Sequence, residues 1–489
     1  MDAMFINGPF LPGFSRESRS PAVTKSGTLY YPAWLAYACG YLEDNGFKAK
    51  ILDCIADRMS FDESVEAVIK EQPKLVVIGT STPSIEADAD FARAIKNLLP
   101  NTLLCLVGTH ASSTAHETLT NYPWVDFIAR REYDETILDV VRRMKNGESL
   151  TDCFGLSVRN SDTGEIIENP DREYIKDLDS LPFASKVYKK YLNIDNYYYG
   201  HVKFPMISIF TSRGCNAKCT YCVYPQTMFG NFRSRSPANI AAEFKWIAEN
   251  LPQVKEVLID DDTFTMFSEH AADVARELIK NENKIPWTCE ARATLDFDTL
   301  NLMKKAGCRL IVVGFESINQ KVLNNIKKGI KQTNADKFVE AAKKANIKIH
   351  GCFMAGNPGD TRESLNATLD WALKNNFDTV QFFPLQVYPG TVAYEEQKNA
   401  GRLKKQPYRM WITETGMHNM TLKESDTGLS ESEIVNFCDE ARRKFYLRPS
   451  YIIRKSLDIV LDPAEFKKNV KGFLNIRKHL FSRSVASVK

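Results

Sequence analysis

Two successive alternations of short apolar runs with longer amphipathic ones dominate this 489-residue chain. The first fills residues 1–148 and includes "AMFING", "YYPAWLAYACGYLEDNG", "FKAKILDC", "SFDESVEAVIKEQ", "KLVVIGTST", "TLLCLVGTH" and "VDFIARRE". Strand-length apolar runs alternating with helix-length segments predict parallel strands joined by crossover helices, a Rossmann-like doubly wound sheet in an α/β chain. Such sheets bind ligands beyond the carboxyl ends of their strands. Thr80, Ser81 and Thr82, then Gly108, Thr109 and His110, and finally Glu132 fall at those ends. The second alternation, residues 203–427, has six strand–helix units from "FPMISIFTSRGC" to "FDTVQFFPLQ". It predicts a partial (β/α)6 barrel with its active groups at the carboxyl ends of the strands. Between them, residues 149–202 are polar and turn-rich, a hairpin followed by a linker. Residues 428–489 read as a basic C-terminal helical cap whose charged face is solvated, with peripheral membrane contact as the alternative.

Charge and composition exclude several classes. With 64 basic and 61 acidic residues the net charge is +3, so no general attraction to nucleic acid is expected. No apolar run is long enough to span a bilayer, and "MDAMFINGPF" reads as a first strand rather than a signal peptide. The eleven cysteines lack a disulfide-framework spacing, which points to a reducing, cytoplasmic setting.

The densest chemistry lies in "TSRGCNAKCTYCVYPQ", where Cys215, Cys219 and Cys222 follow the first strand of the second alternation. Zinc ordinarily takes four closed protein ligands, often from paired Cys-x-x-Cys hooks, and no second pair lies nearby. Iron–sulfur clusters of the four-iron type normally take four thiolates, so three leave one iron open to a small molecule. Cys39 in a helix pattern, Cys54, and Cys105 inside an apolar strand read as small core residues.

The Cys-x-x-x-Cys-x-x-Cys loop, with Tyr221 before the third cysteine, resembles the radical S-adenosylmethionine (SAM) superfamily. The segments "IDDDTFT", "CEARA", "GFES", "AGNPGDT" and "YPGT" agree with that likeness. It implies a 4Fe–4S cluster that cleaves SAM reductively to a 5′-deoxyadenosyl radical, using an electron from a low-potential donor such as flavodoxin or ferredoxin. It also implies that Tyr221, Asp261, Asp262, Arg292 and Glu316 face SAM. Taken alone, Asp261 and Asp262 could instead cap a helix, Arg292 could pair with Glu290, and Glu316 could open a turn. The first domain resembles a cobalamin-binding domain through "YYPAWLAYACGYLEDNGFKAKILD", "VVIGTST" and "GTHASSTAHETL". The whole chain thus resembles the cobalamin-dependent radical SAM class. "INGPFLPGF" lacks the Asp-x-His-x-x-Gly signature, so no histidine is expected on the lower face of cobalt. His110, rather than His116, stands at a strand end, and reads as a polar loop residue near the ligand more than as a cobalt ligand.

The resemblance implies methyl transfer to an unactivated carbon of a small-molecule or lipid-linked substrate. Radical cyclisation or rearrangement of the porphyrin-ring or lipid-polyol type is the alternative, and a non-catalytic iron–sulfur redox module a further one. "YLNIDNYYYG" and "VYPGTVAYEEQ" are expected to line the cavity, with Tyr388 as a candidate hydrogen donor or binding group.

Overall fold

A computed structural model describes residues 1–422 and 427–461, together with residues 466, 470, 472, 474, 475 and 477. The first alternation forms β1 (Ala3–Asn7), β2 (Ala49–Asp53), β3 (Leu75–Gly79), β4 (Leu103–Val107) and β5 (Phe127–Ala129). These strands pair in parallel in the order β2-β1-β3-β4-β5. Chain order reverses between β1 and β3, and a crevice opens at such a reversal beyond the carboxyl ends. Burial explains the composition: β1 and β3 are covered on both faces and are apolar almost throughout. The hairpin expected after residue 148 is β6 (Leu156–Arg159) with β7 (Ile166–Glu168). It is not a separate unit, because β6 adds antiparallel to β5 and extends the same sheet to seven strands. The three-residue β5 would otherwise leave an unpaired edge.

The second alternation forms β8 (Met206–Ile209), the short antiparallel ribbon β9 (Ser212–Arg213) and β10 (Arg233–Ser234), then β11 (Glu256–Ile259), β12 (Trp287–Ala291), β13 (Cys308–Glu316), β14 (Lys348–Ala355) and β15 (Thr379–Pro384). Leaving out the ribbon, the strands are parallel and lie side by side in chain order, β8-β11-β12-β13-β14-β15. The cysteine loop hangs between the two strands of the ribbon. Residues from the first domain and the linker contact this sheet. Leu29 bridges Tyr198, the Tyr31 hydroxyl donates to Met206 O on β8 at 2.8 Å, and the Tyr199 hydroxyl donates to Asp260 at 3.0 Å. His201 stacks on His350 of β14, with ring centres 4.6 Å apart.

On the outer edge, the Tyr446 hydroxyl of the helix Glu431–Tyr446 accepts from Val380 N at 3.0 Å and donates to Val380 O at 2.7 Å, closing part of the free edge of β15. A further helix, Pro449–Leu461, follows; most of the basic tail beyond it lies outside the described residues. No helix among the described residues is long and apolar enough to cross a membrane.

Candidate active site

The cysteine loop is held by the acidic run that ends β11. Asp261 accepts four bonds, from Thr211 N (2.6 Å), Thr211 Oγ1 (2.6 Å), Ser212 N (3.1 Å) and Ser212 Oγ (2.6 Å). Asp262 accepts from Gly214 N at 3.1 Å. Gly214 is required here: its φ is +83°, and a Cβ would lie 2.3 Å from Asn231 O. Behind the loop, Gln226 donates to the carbonyls of Cys219 (3.1 Å) and Cys222 (2.6 Å), and accepts from Val392 N (2.9 Å). Cys219 is buried, and Cys215 and Cys222 are half-buried. Among the described residues no three His, Cys, Asp or Glu side chains converge as a site for one metal ion. Three thiolates spread around a loop suit a cluster, where each binds a different iron. Asp261 was expected to face SAM, but its oxygens are committed to the backbone and hydroxyls that lead into the loop.

Tyr221, Glu316 and Arg292 do come together, around a residue that sequence reasoning missed. Lys328 Nζ lies 2.8 Å from Glu316 Oε1 and 3.3 Å from the Tyr221 hydroxyl, which itself donates to Glu316 Oε1 at 3.0 Å. Arg292 donates to Lys328 O and does not pair with Glu290. Glu316 has φ +63°, strained for a residue with a side chain, and its buried Oε2 has no partner. Gly314 leaves room for this arrangement, since a Cβ there would meet Glu316 Oε1 at 2.5 Å.

The loop after β1 delivers Arg19 to the same mouth. Its guanidinium donates to Asp261 O at 2.6 Å and lies 3.6 Å from Asp260 and 4.0 Å from Asp262. Burial pushes the Asp260 carboxyl up to about 6, against the pull of Arg19 and the Tyr199 hydroxyl. Next to Arg19, Ser20 Oγ lies 3.0 Å from the Tyr388 hydroxyl and 2.8 Å from His418 Nε2, so Tyr388 ties the loop down. Neither Arg19 nor Ser20 belongs to a recognisable motif, and both are distant in sequence from what they touch.

At the reversal between β1 and β3, Asn7, Arg16, Thr80, Gly108 and Thr109 line a cavity of about 30 Å³. Its far wall is Tyr224 and Met228 of the barrel, just after Cys222. Gly108 has φ +113°, and a Cβ would stand 2.4 Å from Thr80 O, so the cradle tolerates no side chain there. Thr80 Oγ1 donates to Asp88 at 2.7 Å, and Asp88 pairs with Arg16 at 2.5 Å. Where a histidine signature would stand, the loop offers Arg16 and Glu17. Four expected contacts lie elsewhere. Ser81 is bonded to Ser84, and Thr82 lies 3.2 Å from His110 Nδ1. His110 lines a different cavity, of about 340 Å³, edge-on to Tyr408 at 4.7 Å; burial pushes its pKa down to about 3. Glu132 is engaged in an interdomain clamp, accepting from Arg213 (2.5 Å), Arg233 (2.9 Å) and Ile175 N (3.1 Å). Asp134 holds the other side of Arg213 at 2.7 Å. His116 is exposed, whereas Cys39, Cys54 and Cys105 are core residues as expected.

A doubly wound domain whose switch-point crevice abuts a three-cysteine loop on a parallel barrel defines the cobalamin-dependent radical SAM class. The B12 binding domain model matches residues 19–141 and the radical SAM superfamily model residues 209–372, and the chain belongs to that class. Its cofactors are accordingly a 4Fe–4S cluster, SAM and cobalamin. An uncharacterized methyltransferase of Pyrococcus horikoshii is 28% identical over 88% of this chain and 90% of its own length. The anaerobic magnesium-protoporphyrin IX monomethyl ester cyclase of Cereibacter sphaeroides is 25% identical over 75% of this chain and 60% of its own. In fold, the chain is similar to the radical SAM methyltransferase TsrM of Kitasatospora setae with cobalamin and [4Fe–4S] cluster bound. That likeness has a TM-score of 0.70 at 15% identity, over 92% of this chain and 90% of that one.

Proposed function

We propose that this enzyme transfers a methyl group to an unactivated carbon of a small-molecule or lipid-like substrate. One observation carries the reading: the crevice at Asn7, Thr80 and Gly108 shares a wall, Tyr224 and Met228, with the cysteine loop. A corrinoid in that crevice and a cluster on that loop would then face one reaction space. When bound, the cluster with SAM supplies a carbon-centred radical and cobalamin a transferable methyl group. Cys215, Cys219 and Cys222 would hold the cluster. Tyr221, Arg292, Glu316 and Lys328 would contact SAM, with the unpartnered Glu316 Oε2 as acceptor. Asp262 orients the loop, while Asn7, Thr80, Gly108 and Thr109 would receive the corrinoid. Arg19, Ser20 and Tyr388 close the mouth and keep water from the radical. The electron would come from a cytoplasmic flavodoxin or ferredoxin.

The cyclase relative favours a second reading, ring formation on a similar radical. The two separate in one experiment on anaerobic, cluster-reconstituted protein given cobalamin, methyl-labelled SAM and a low-potential reductant. Label on the protein-bound corrinoid together with 5′-deoxyadenosine supports methyl transfer. 5′-Deoxyadenosine without that label moves the assignment to cyclisation, and absence of both ends the enzymatic reading.

A further inference from the structure

The helix Pro449–Leu461 is inverted. A surface helix ordinarily turns its apolar stripe toward the protein and its charged face toward water. Here the stripe at i, i+3, i+4 and i+7 is Tyr451, Arg454, Lys455 and Asp458, and these are the buried or half-buried positions. Arg454 donates to the carbonyls of Asn376 and Phe377 at 2.6 Å each, and Lys455 pairs with Asp378 at 2.7 Å. Asp458 lies 3.4 Å from Lys348 of β14, and Tyr451 packs edge-on against Phe445 and Tyr446. The opposite face carries Ile452, Ile453, Ser456 and Leu457. Its aliphatic side chains stand in solvent: Ile452 is 50% exposed, Ile453 62% and Leu457 57%. Further along the tail, Phe466 and Leu474 are exposed as well. The charged face expected to be solvated is therefore the docked one. Exposed apolar side chains gathered on one face mark a surface that an apolar partner covers.

The charge around this face selects the partner. Residues 441–489 hold 13 Lys and Arg against 3 Asp and Glu, a net +10. Residues 1–440 hold 51 against 58, a net −7. The near-neutral balance of the whole chain thus conceals a strongly basic segment, and the apolar face lies within it. A partner for this face must offer negative charge and an apolar interior together, which is what an anionic lipid surface presents. Nucleic acid would answer the charge and leave the three aliphatic side chains in water. A second copy of the chain would cover them but would bring two basic tails together. We propose that the outer face of this helix docks the enzyme onto an anionic membrane surface, with Ile452, Ile453 and Leu457 entering the headgroup boundary and the basic tail held by lipid charge. Such a helix lies along the interface and does not cross it, in keeping with the absence of a spanning helix among the described residues. Docking of this kind does not depend on the reaction assigned above.

The full chain is tested by flotation with vesicles of phosphatidylcholine, either pure or with roughly one phosphatidylglycerol in three lipids. Its oligomeric state is measured by sedimentation velocity without lipid. Binding to the anionic vesicles should exceed binding to the neutral ones about tenfold, and should fall as salt is raised from about 0.1 to 0.5 M. Ile452→Ser, Ile453→Ser and Leu457→Ser combined should weaken binding to anionic vesicles by about tenfold. Tm should hold in that variant, because these side chains already stand in water. Should the triple variant fail to fold, Ile453→Ser alone is read the same way and should weaken binding several-fold. Equal binding to both vesicle types, or undiminished binding by the triple variant, overturns the proposal. So does a wild-type dimer that the triple variant turns into a monomer, which gives the face to a second copy. Tighter binding of a DNA duplex than of anionic vesicles gives the segment to nucleic acid and overturns it as well.

Discussion

Asp261 puts the cluster loop at the mercy of one carboxylate. In Asp261→Ala the backbone N–H and hydroxyl groups of Thr211 and Ser212 all lose their acceptor. Leaving buried donors unsatisfied costs about 1–3 kcal/mol each, so the loop should loosen with all three cysteines intact. Iron per chain after reconstitution should fall well below wild type; full iron content would show that the loop holds itself. Glu17 makes a pH prediction. Its Oε2 accepts from Trp34 N at 3.0 Å at the start of the helix Ala33–Asp44, and burial pushes its carboxyl up to about 8 from 4.5. Because the folded form binds this proton more tightly, the contribution to stability is complete below 4.5 and is lost as pH rises to about 8. Glu17→Gln should therefore flatten the decline of Tm between those pH values, and an unchanged slope would assign the decline to other groups. The residue scale is also where the sequence was least legible. The cysteines and Glu316 lie in short motifs, but Lys328, Arg19 and Ser20 matter only through contacts across 12, 242 and 368 positions. His110 was misplaced for a local reason: it and Thr109 are neighbours on one helical turn and so point to different cavities.

Among the elements, the strands were readable because their apolar runs are short and bounded by turns, and the six-unit alternation translates directly into strand order. The hairpin β6–β7 was recognised as a hairpin, but its docking on β5 was not, because edge pairing depends on the length of the neighbour and not on the hairpin's own pattern. A similar device closes the other sheet. The Tyr446 hydroxyl serves both backbone groups of Val380 on the edge strand β15. Tyr446→Phe leaves both without that partner and should lower stability by about 1–3 kcal/mol. Chemical denaturation should show this as a lower midpoint with an unchanged slope; an unaltered midpoint would mean that water replaces the hydroxyl without loss.

Across the whole molecule, the two domains are joined at the catalytic loop itself. Arg213, adjacent to Gly214 and two residues before Cys215, is buried between Glu132 and Asp134 of the first domain and lies over the rings of Trp34 and Tyr37. Arg233, across the β9–β10 ribbon, holds Glu132 from the other side. The candidate corrinoid crevice and the cluster loop are thus linked by one buried ion network. Breaking a buried pair by removing one partner typically costs about 3–5 kcal/mol, because the remaining charges stay buried without compensation. Arg213→Ala strands Asp134 in this way and leaves Glu132 to Arg233 alone. The variant should unfold at lower temperature and should be cut faster in the linker near residues 169–183 by a protease of low specificity. Its 5′-deoxyadenosine should form uncoupled from methyl transfer, since a mouth that opens admits water to the radical. A variant with wild-type Tm, linker protection and coupling would show instead that the aromatic packing around Trp34 suffices to hold the domains together.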